Sequence, residues 1–226
     1  MIPLRDNVGK RRLASITNLL IAANVAVFFY EMRLGSAFVP LAEEYGMLPA
    51  RIAHLARDPG FDTLWSPVTL LTSLFLHGGL LHIAGNMLYL YIFGAAVEAR
   101  FGHARFFWFY LASGVAAGLA MVWMEPASGM PVIGASGAIA GVLGSYFVLY
   151  PRARISTLIP LLVFVEIIEV PAVLYLLLWF ALQLYAGVQG GGGVAWWAHV
   201  GGFLFGVALA PILARATSRR RAKALW

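Results

Sequence analysis

The sequence predicts an all-α polytopic membrane protein, a bundle of six transmembrane helices in a single domain spanning residues 1–226. Three observations carry that expectation. The chain is 61% hydrophobic and only 12% charged, where soluble domains carry about 25% charged residues. Its mean hydropathy is +0.81. Six apolar segments approach the roughly 20 residues that a helix needs to cross a bilayer core. Finally, the basic residues fall on one side of those segments: 13 of the 16 Lys and Arg lie in alternate loops and the two ends, leaving Arg33, Arg51 and Arg57 on the other. Because basic residues are retained in cytoplasmic loops, both termini are expected in the cytoplasm.

Taken in order, the chain starts with a basic arm, MIPLRDNVGKRR, followed by the apolar run Ile16–Leu34. No small-residue cleavage site follows that run, so it is read as a retained span. The next segment, from Gly35 to about Gly79, is too long for a simple connection and includes the apolar string FVPLAEEYGMLPARIAHLA. Spans two to four are expected at Leu80–Val97, Phe106–Met124 and Val132–Tyr150. The run Ile155–Val165 is apolar but too short to cross and holds Pro160, so it is placed at the interface, leading into the fifth span at Val170–Val188. The string VQGGGGVAWW is expected to form a mobile cap, since Gly-Gly runs are flexible. Span six follows at Ala195–Ala214, and residues 215–226 form a basic cytoplasmic tail. Trp65, Trp196 and Trp197 suit ring anchoring near the outer face.

Several chemistries are excluded by what is missing. Without cysteine there are no disulfides, thiol catalysis or cysteine metal sites. None of the ten acidic residues falls mid-span, so a carboxylate proton relay has no components. The HExxH motif of zinc hydrolases is absent, and His77 and His82, five apart, do not share a helical face. Neither a metal nor a cofactor is expected. The net charge of +6 needs no nucleic-acid partner, because basic tails beside anionic headgroups already account for it.

What remains is a short set of polar groups in spans two, four and six: His82, Asn86, Ser136 and His199. All three spans run from outside inward. At 1.5 Å per residue, Ser136 and His199 each lie about 6 Å in, His82 about 3 Å and Asn86 about 9 Å. Four side chains from three helices therefore share one shallow depth. His82 and Asn86, at i and i+4, share a face, as do His199, Gly202 and Gly206. On span four, Gly134, Gly137, Gly141 and Gly144 make a second strip of small residues that admits a neighbouring backbone. Taken alone, Ser136 could bond back to its own helix or join two helices, and the His82/Asn86 pair could bond across helices.

The strings HGGLLHIAGNMLYLYIFG, GASGAIAGVLGSYFVLYPRARI and AHVGGFLFG resemble the rhomboid family of intramembrane serine proteases, in matching order and on matching helices, over roughly residues 14–214. The resemblance implies that Ser136 is a nucleophile and His199 its general base. It implies that Asn86, His82 and the backbone N–H of Ser136 stabilise the oxyanion. His77 would have a structural hydrogen-bonding role, and Glu98, in GAAVEAR, would bond to neighbouring loops. The implied substrates are membrane-spanning proteins within the lipid bilayer, cut near the outer face. Two positions depart from the family pattern. Trp65 is followed by Ser66 where many members have Arg, and Ala140 stands where an aromatic often stacks on the catalytic imidazole. A rhomboid-like protein that binds membrane helices with weak or no cleavage is the alternative. A six-span chain of this length points to a prokaryotic plasma membrane.

Overall fold

The computed structural model describes residues 1–8, 14–55, 61–161, 164–190 and 193–223. Part of the predicted N-terminal basic arm, Arg57, Gly191 and Gly192 of the expected cap, and the last three residues of the tail lie outside them.

The architecture is mostly helical. Helix α1 (Ser15–Leu34) is followed by the first loop, which folds into three short helices: α2 (Phe38–Tyr45), α3 (Pro49–His54) and α4 (Phe61–Thr72). Helices α5 (Leu80–Tyr89) and α6 (Ala95–Phe101) are joined through a π-helical segment, Leu90–Gly94, into one continuous rod. Then come α7 (His103–Met124), α8 (Ser136–Leu149), α9 (Ala172–Gln189) and α10 (Trp196–Lys223). Among the described residues, five helical stretches are long and apolar enough to cross a membrane: Ser15–Tyr45, Leu80–Phe101, His103–Met124, Ala172–Gln189 and Trp196–Arg215. The expected fourth span, Val132–Tyr150, corresponds to the shorter apolar helix Ser136–Leu149.

Helix α8 is short because its expected first turn is not helical. Val132 exchanges backbone hydrogen bonds with Met47. Gly134 has φ +119°, a conformation that suits glycine, and its N–H donates to the Ser73 carbonyl. Helix therefore begins at Ser136 itself rather than at Val132. At 14 residues it is about 21 Å long, and every residue from Gly137 to Tyr146 is buried. Surrounded by protein, it does not need the length of a lipid-facing span.

Small residues set the packing around it. A Cβ on Gly202 would overlap the Gly137 carbonyl oxygen, one on Gly206 the Gly141 carbonyl oxygen, and one on Gly144 the Phe203 carbonyl oxygen. Helices α8 and α10 thus meet backbone to backbone, and Ser145 Oγ donates to the Gly206 carbonyl oxygen at 3.0 Å. The core runs through Leu90, Phe93, Phe106, Tyr110, Leu143, Tyr146 and Leu176. By contrast α1 exposes Leu19, Phe29, Tyr30 and Met32, and α9 exposes Leu174, Leu177, Leu182 and Val188. Such apolar surface is what lipid contact requires.

The interfacial run differs from expectation, and with it the all-α assignment. A three-stranded antiparallel sheet is present, ordered β1 (Ile2–Asp6), β2 (Arg154–Leu161) and β3 (Phe164–Pro171). Residues 154–171 are rich in Ile and Val, which favour pleated structure. The hairpin pairs Ile155 with Val170 and Thr157 with Ile168, and β1 adds to its edge by pairing Ile2 with Leu158. Tyr146 Oη donates to Asp6 Oδ2 at 2.8 Å, tying this sheet to the C-terminal part of α8.

Candidate active site

Ser136 is the first residue of α8, so its backbone N–H has no partner within the helix. Its half-buried side chain meets that of His199, in the first turn of α10, with Oγ to Nε2 at 2.8 Å. The backbone contacts at Gly137/Gly202 and Gly141/Gly206 lie directly beyond this pair, and they are what permits two helices to bring a hydroxyl and an imidazole within bonding distance.

The other imidazole nitrogen is also engaged. His199 Nδ1 lies 2.8 Å from Gln183 Oε1 on α9. The ring is flanked by Trp179 and Trp196, at centroid separations of 6.0 and 6.1 Å. Position 140, where the family pattern often has an aromatic, is a fully buried Ala packed toward Gly202 at the α8/α10 contact. Support for the imidazole therefore comes from α9 and the start of α10 instead of α8. Sequence reasoning passed over Gln183, although a signal was present: it is the one side-chain amide in the fifth apolar run, and a polar group inside a span calls for a partner.

His82 and Asn86 both face Gly134, two residues before Ser136. A Cβ at position 134 would stand 2.7 Å from His82 Nε2 and 3.6 Å from Asn86 Nδ2. Asn86 is 8% exposed, and its Nδ2 has no hydrogen-bond partner among the described residues. His82 Nδ1 accepts from the Gly78 N–H at 3.4 Å, which leaves Nε2 to carry the hydrogen on the side facing Gly134. Two donors are thus directed at the backbone that leads into Ser136. Beside the serine lies a cavity of about 20 Å³, lined in part by Ser73, Leu74, Gly134, Ser136, Gly137 and Ala198. That volume suffices for one water molecule.

His77 is buried against His82, with ring centroids 5.1 Å apart. The expected hydrogen-bonding role belongs to its backbone: the N–H donates to both Glu31 carboxylate oxygens at 3.2 Å, while neither ring nitrogen has a partner among the described residues. Burial, with the neighbouring His82, pushes the His77 imidazole down to about 4. Glu31, in the last turn of α1, was not singled out from sequence because a carboxylate at a span end is ordinarily solvated. Glu98 differs from expectation too, bonding to a helix start as well as to a nearby residue. It accepts from the Ile16 and Thr17 N–H groups at 3.0 and 2.8 Å and from Thr17 Oγ1 at 2.6 Å, capping α1, and it contacts His103 Nδ1. Among the described residues no group of three or more His, Cys, Asp or Glu could hold a metal ion.

The rhomboid domain family model matches residues 64–216 of this chain. The chain is 30% identical over 174 residues to Rhomboid protein 1, mitochondrial, of Saccharomyces cerevisiae, covering 73% of this chain and 47% of that protein. It is 35% identical over 132 residues to Rhomboid protease GluP of Bacillus subtilis, covering 58% of this chain and 24% of that one. Against the human presenilin-associated rhomboid-like protein, mitochondrial, identity is 29% over 208 residues, covering 88% of this chain and 47% of the relative. The chain therefore spans less than half the length of each of these relatives. Two of the three are mitochondrial by name and one is bacterial, so the similarity supports an integral membrane protein without selecting the prokaryotic plasma membrane that chain length suggested.

Proposed function

Because the chain belongs to the rhomboid family, we propose that it is an intramembrane serine endopeptidase acting on membrane-spanning proteins near the outer face of the bilayer. The observation that carries this reading is the 2.8 Å approach of Ser136 Oγ to His199 Nε2.

In this mechanism Ser136 Oγ attacks the carbonyl carbon of the scissile peptide as its proton passes to His199 Nε2, since a hydroxyl is a poor nucleophile until a neighbouring base accepts that proton. The resulting oxyanion accepts hydrogen bonds from Asn86 Nδ2, His82 Nε2–H and the backbone N–H of Ser136. Donors fixed where charge develops are worth about 3 to 4 kcal/mol each. Collapse breaks the C–N bond, and the proton on His199 goes to the departing amine. A water molecule then gives its proton to His199 while its oxygen attacks the acyl carbon, and Ser136 leaves with that proton. The cavity beside Ser136 suits such a water.

The short buried α8 acts as the fourth of six crossings of a single membrane domain, with Ser136 recessed at its outer end. The bias of basic residues supports a topology with both termini in the cytoplasm. The test is fluorophosphonate labelling of detergent-solubilised protein together with cleavage of a model membrane substrate. Both are expected in the wild type and lost in Ser136→Ala and His199→Ala. Labelling that persists in Ser136→Ala would name the wrong serine. Substrate binding without wild-type cleavage would instead identify a helix-binding, inactive rhomboid-like protein.

A further inference from the structure

Gln183 is buried on α9, one turn after Trp179. Its Nε2 donates to the Trp179 carbonyl oxygen at 3.2 Å. That bond fixes the amide, because the reverse orientation would set two carbonyl oxygens against each other. The amide oxygen is thereby turned outward, 2.8 Å from His199 Nδ1. An amide oxygen only accepts, so this contact is a hydrogen bond when Nδ1 carries the hydrogen. A neutral imidazole has one N–H. With it at Nδ1, Nε2 presents its lone pair to Ser136 Oγ, 2.8 Å away.

We propose that Gln183 is a positioning residue that locks His199 in the Nδ1–H tautomer and holds its ring in plane with Ser136, as the third member of an otherwise two-residue arrangement. The inference rests on the serine-protease reading above. An amide suits this place for two reasons. It does not take up a proton itself, and its bond to Nδ1–H strengthens when the ring becomes an imidazolium. Trp179, at i−4 on the same face of α9, adds a ring beside the imidazole. Together they supply from α9 the restraint that Ala140 cannot give from α8.

The test uses the full-length protein, with its histidines labelled with ¹⁵N, in detergent. His199 signals are assigned by their loss in His199→Ala. The wild type is expected to show the Nδ1–H tautomer, Gln183→Leu to lose it, and Gln183→Glu, which keeps an acceptor oxygen, to retain it. Fluorophosphonate labelling of Ser136 should slow about 10-fold in Gln183→Leu, the loss of one neutral hydrogen bond. In Gln183→Glu it should stay within about threefold of wild type. A wild-type His199 protonated at Nε2, or a Gln183→Leu protein unchanged in tautomer and rate, overturns the proposal. Should Gln183→Leu fail to fold, the tautomers of the wild type and Gln183→Glu decide. The expected tautomers in a wild type that does not label would leave the positioning role standing and sink the protease reading.

Discussion

Gly206 on α10 lies so close to the Gly141 carbonyl oxygen on α8 that a single added carbon would overlap it. This contact lies two turns of α10 beyond His199, on the same helical face, and it fixes the separation of the two helices that carry the hydroxyl and the imidazole. Gly206→Ala should therefore force α8 and α10 apart, lowering stability by about 1 to 3 kcal/mol and activity with it. Gly85→Ala, where nothing stands within 4 Å of the new carbon, serves as the control. Thermal melts and labelling rates of both variants check this, and equal behaviour would remove the close-packing argument.

Asn86→Ala is expected to slow turnover about 100-fold with little effect on folding. Its Nδ2 makes no hydrogen bond among the described residues, so truncation breaks no bond in the resting protein. Steady-state kinetics on a model membrane substrate, beside a melting curve, separate the two effects. A variant that fails to accumulate would instead assign Asn86 to helix packing.

Glu98→Ala leaves the half-buried Ile16 and the buried Thr17 N–H groups without their acceptor. Hydrogen bonds to a charged group contribute about 1.5 to 3 kcal/mol, so a marked drop in melting temperature is expected. Fluorophosphonate reactivity of the protein that remains folded should be close to wild type, because Glu98 is far along the α5–α6 rod from His82. Loss of reactivity without loss of stability would contradict a purely structural cap.

His77 gives the protein an acid-sensitive element. Its imidazole is held neutral, with its pKa pushed down from 6.5 to about 4. The native state thus binds the proton less readily than the unfolded chain. The corresponding stability is complete above about pH 6.5 and is lost as pH falls toward 4, amounting to about 3 kcal/mol. Glu31 and His82 face this residue, so the informative quantity is the difference from His77→Phe. The variant should lose stability less steeply across that pH window. Parallel curves would show that His77 does not carry the effect.

Much of the site was legible because polar side chains inside apolar runs are few. His82, Asn86, Ser136 and His199 stood out for that reason, and the family motifs around them matched three separate helices. Gln183 met the same criterion, yet its partner is 16 residues away in the sequence, and no helical spacing relates them. The sheet was hidden by its range: Ile2 pairs with Leu158, a contact that local periodicity cannot reveal. The start of α8 was misplaced because hydropathy runs smoothly through Val132–Ala135, while the backbone there is committed to Met47 and Ser73.

The sequence by itself determined that this chain is an integral membrane protein, where its long apolar stretches lie, and which few side chains inside them have chemistry to offer. Those are consequences of transfer free energy summed over neighbours along the chain. Only the tertiary structure decided which nitrogen of His199 meets Ser136, what holds the other, and that α8 is sheathed by protein. Such contacts depend on helices approaching to within a carbonyl's width, a distance set by the packing of residues far apart in sequence.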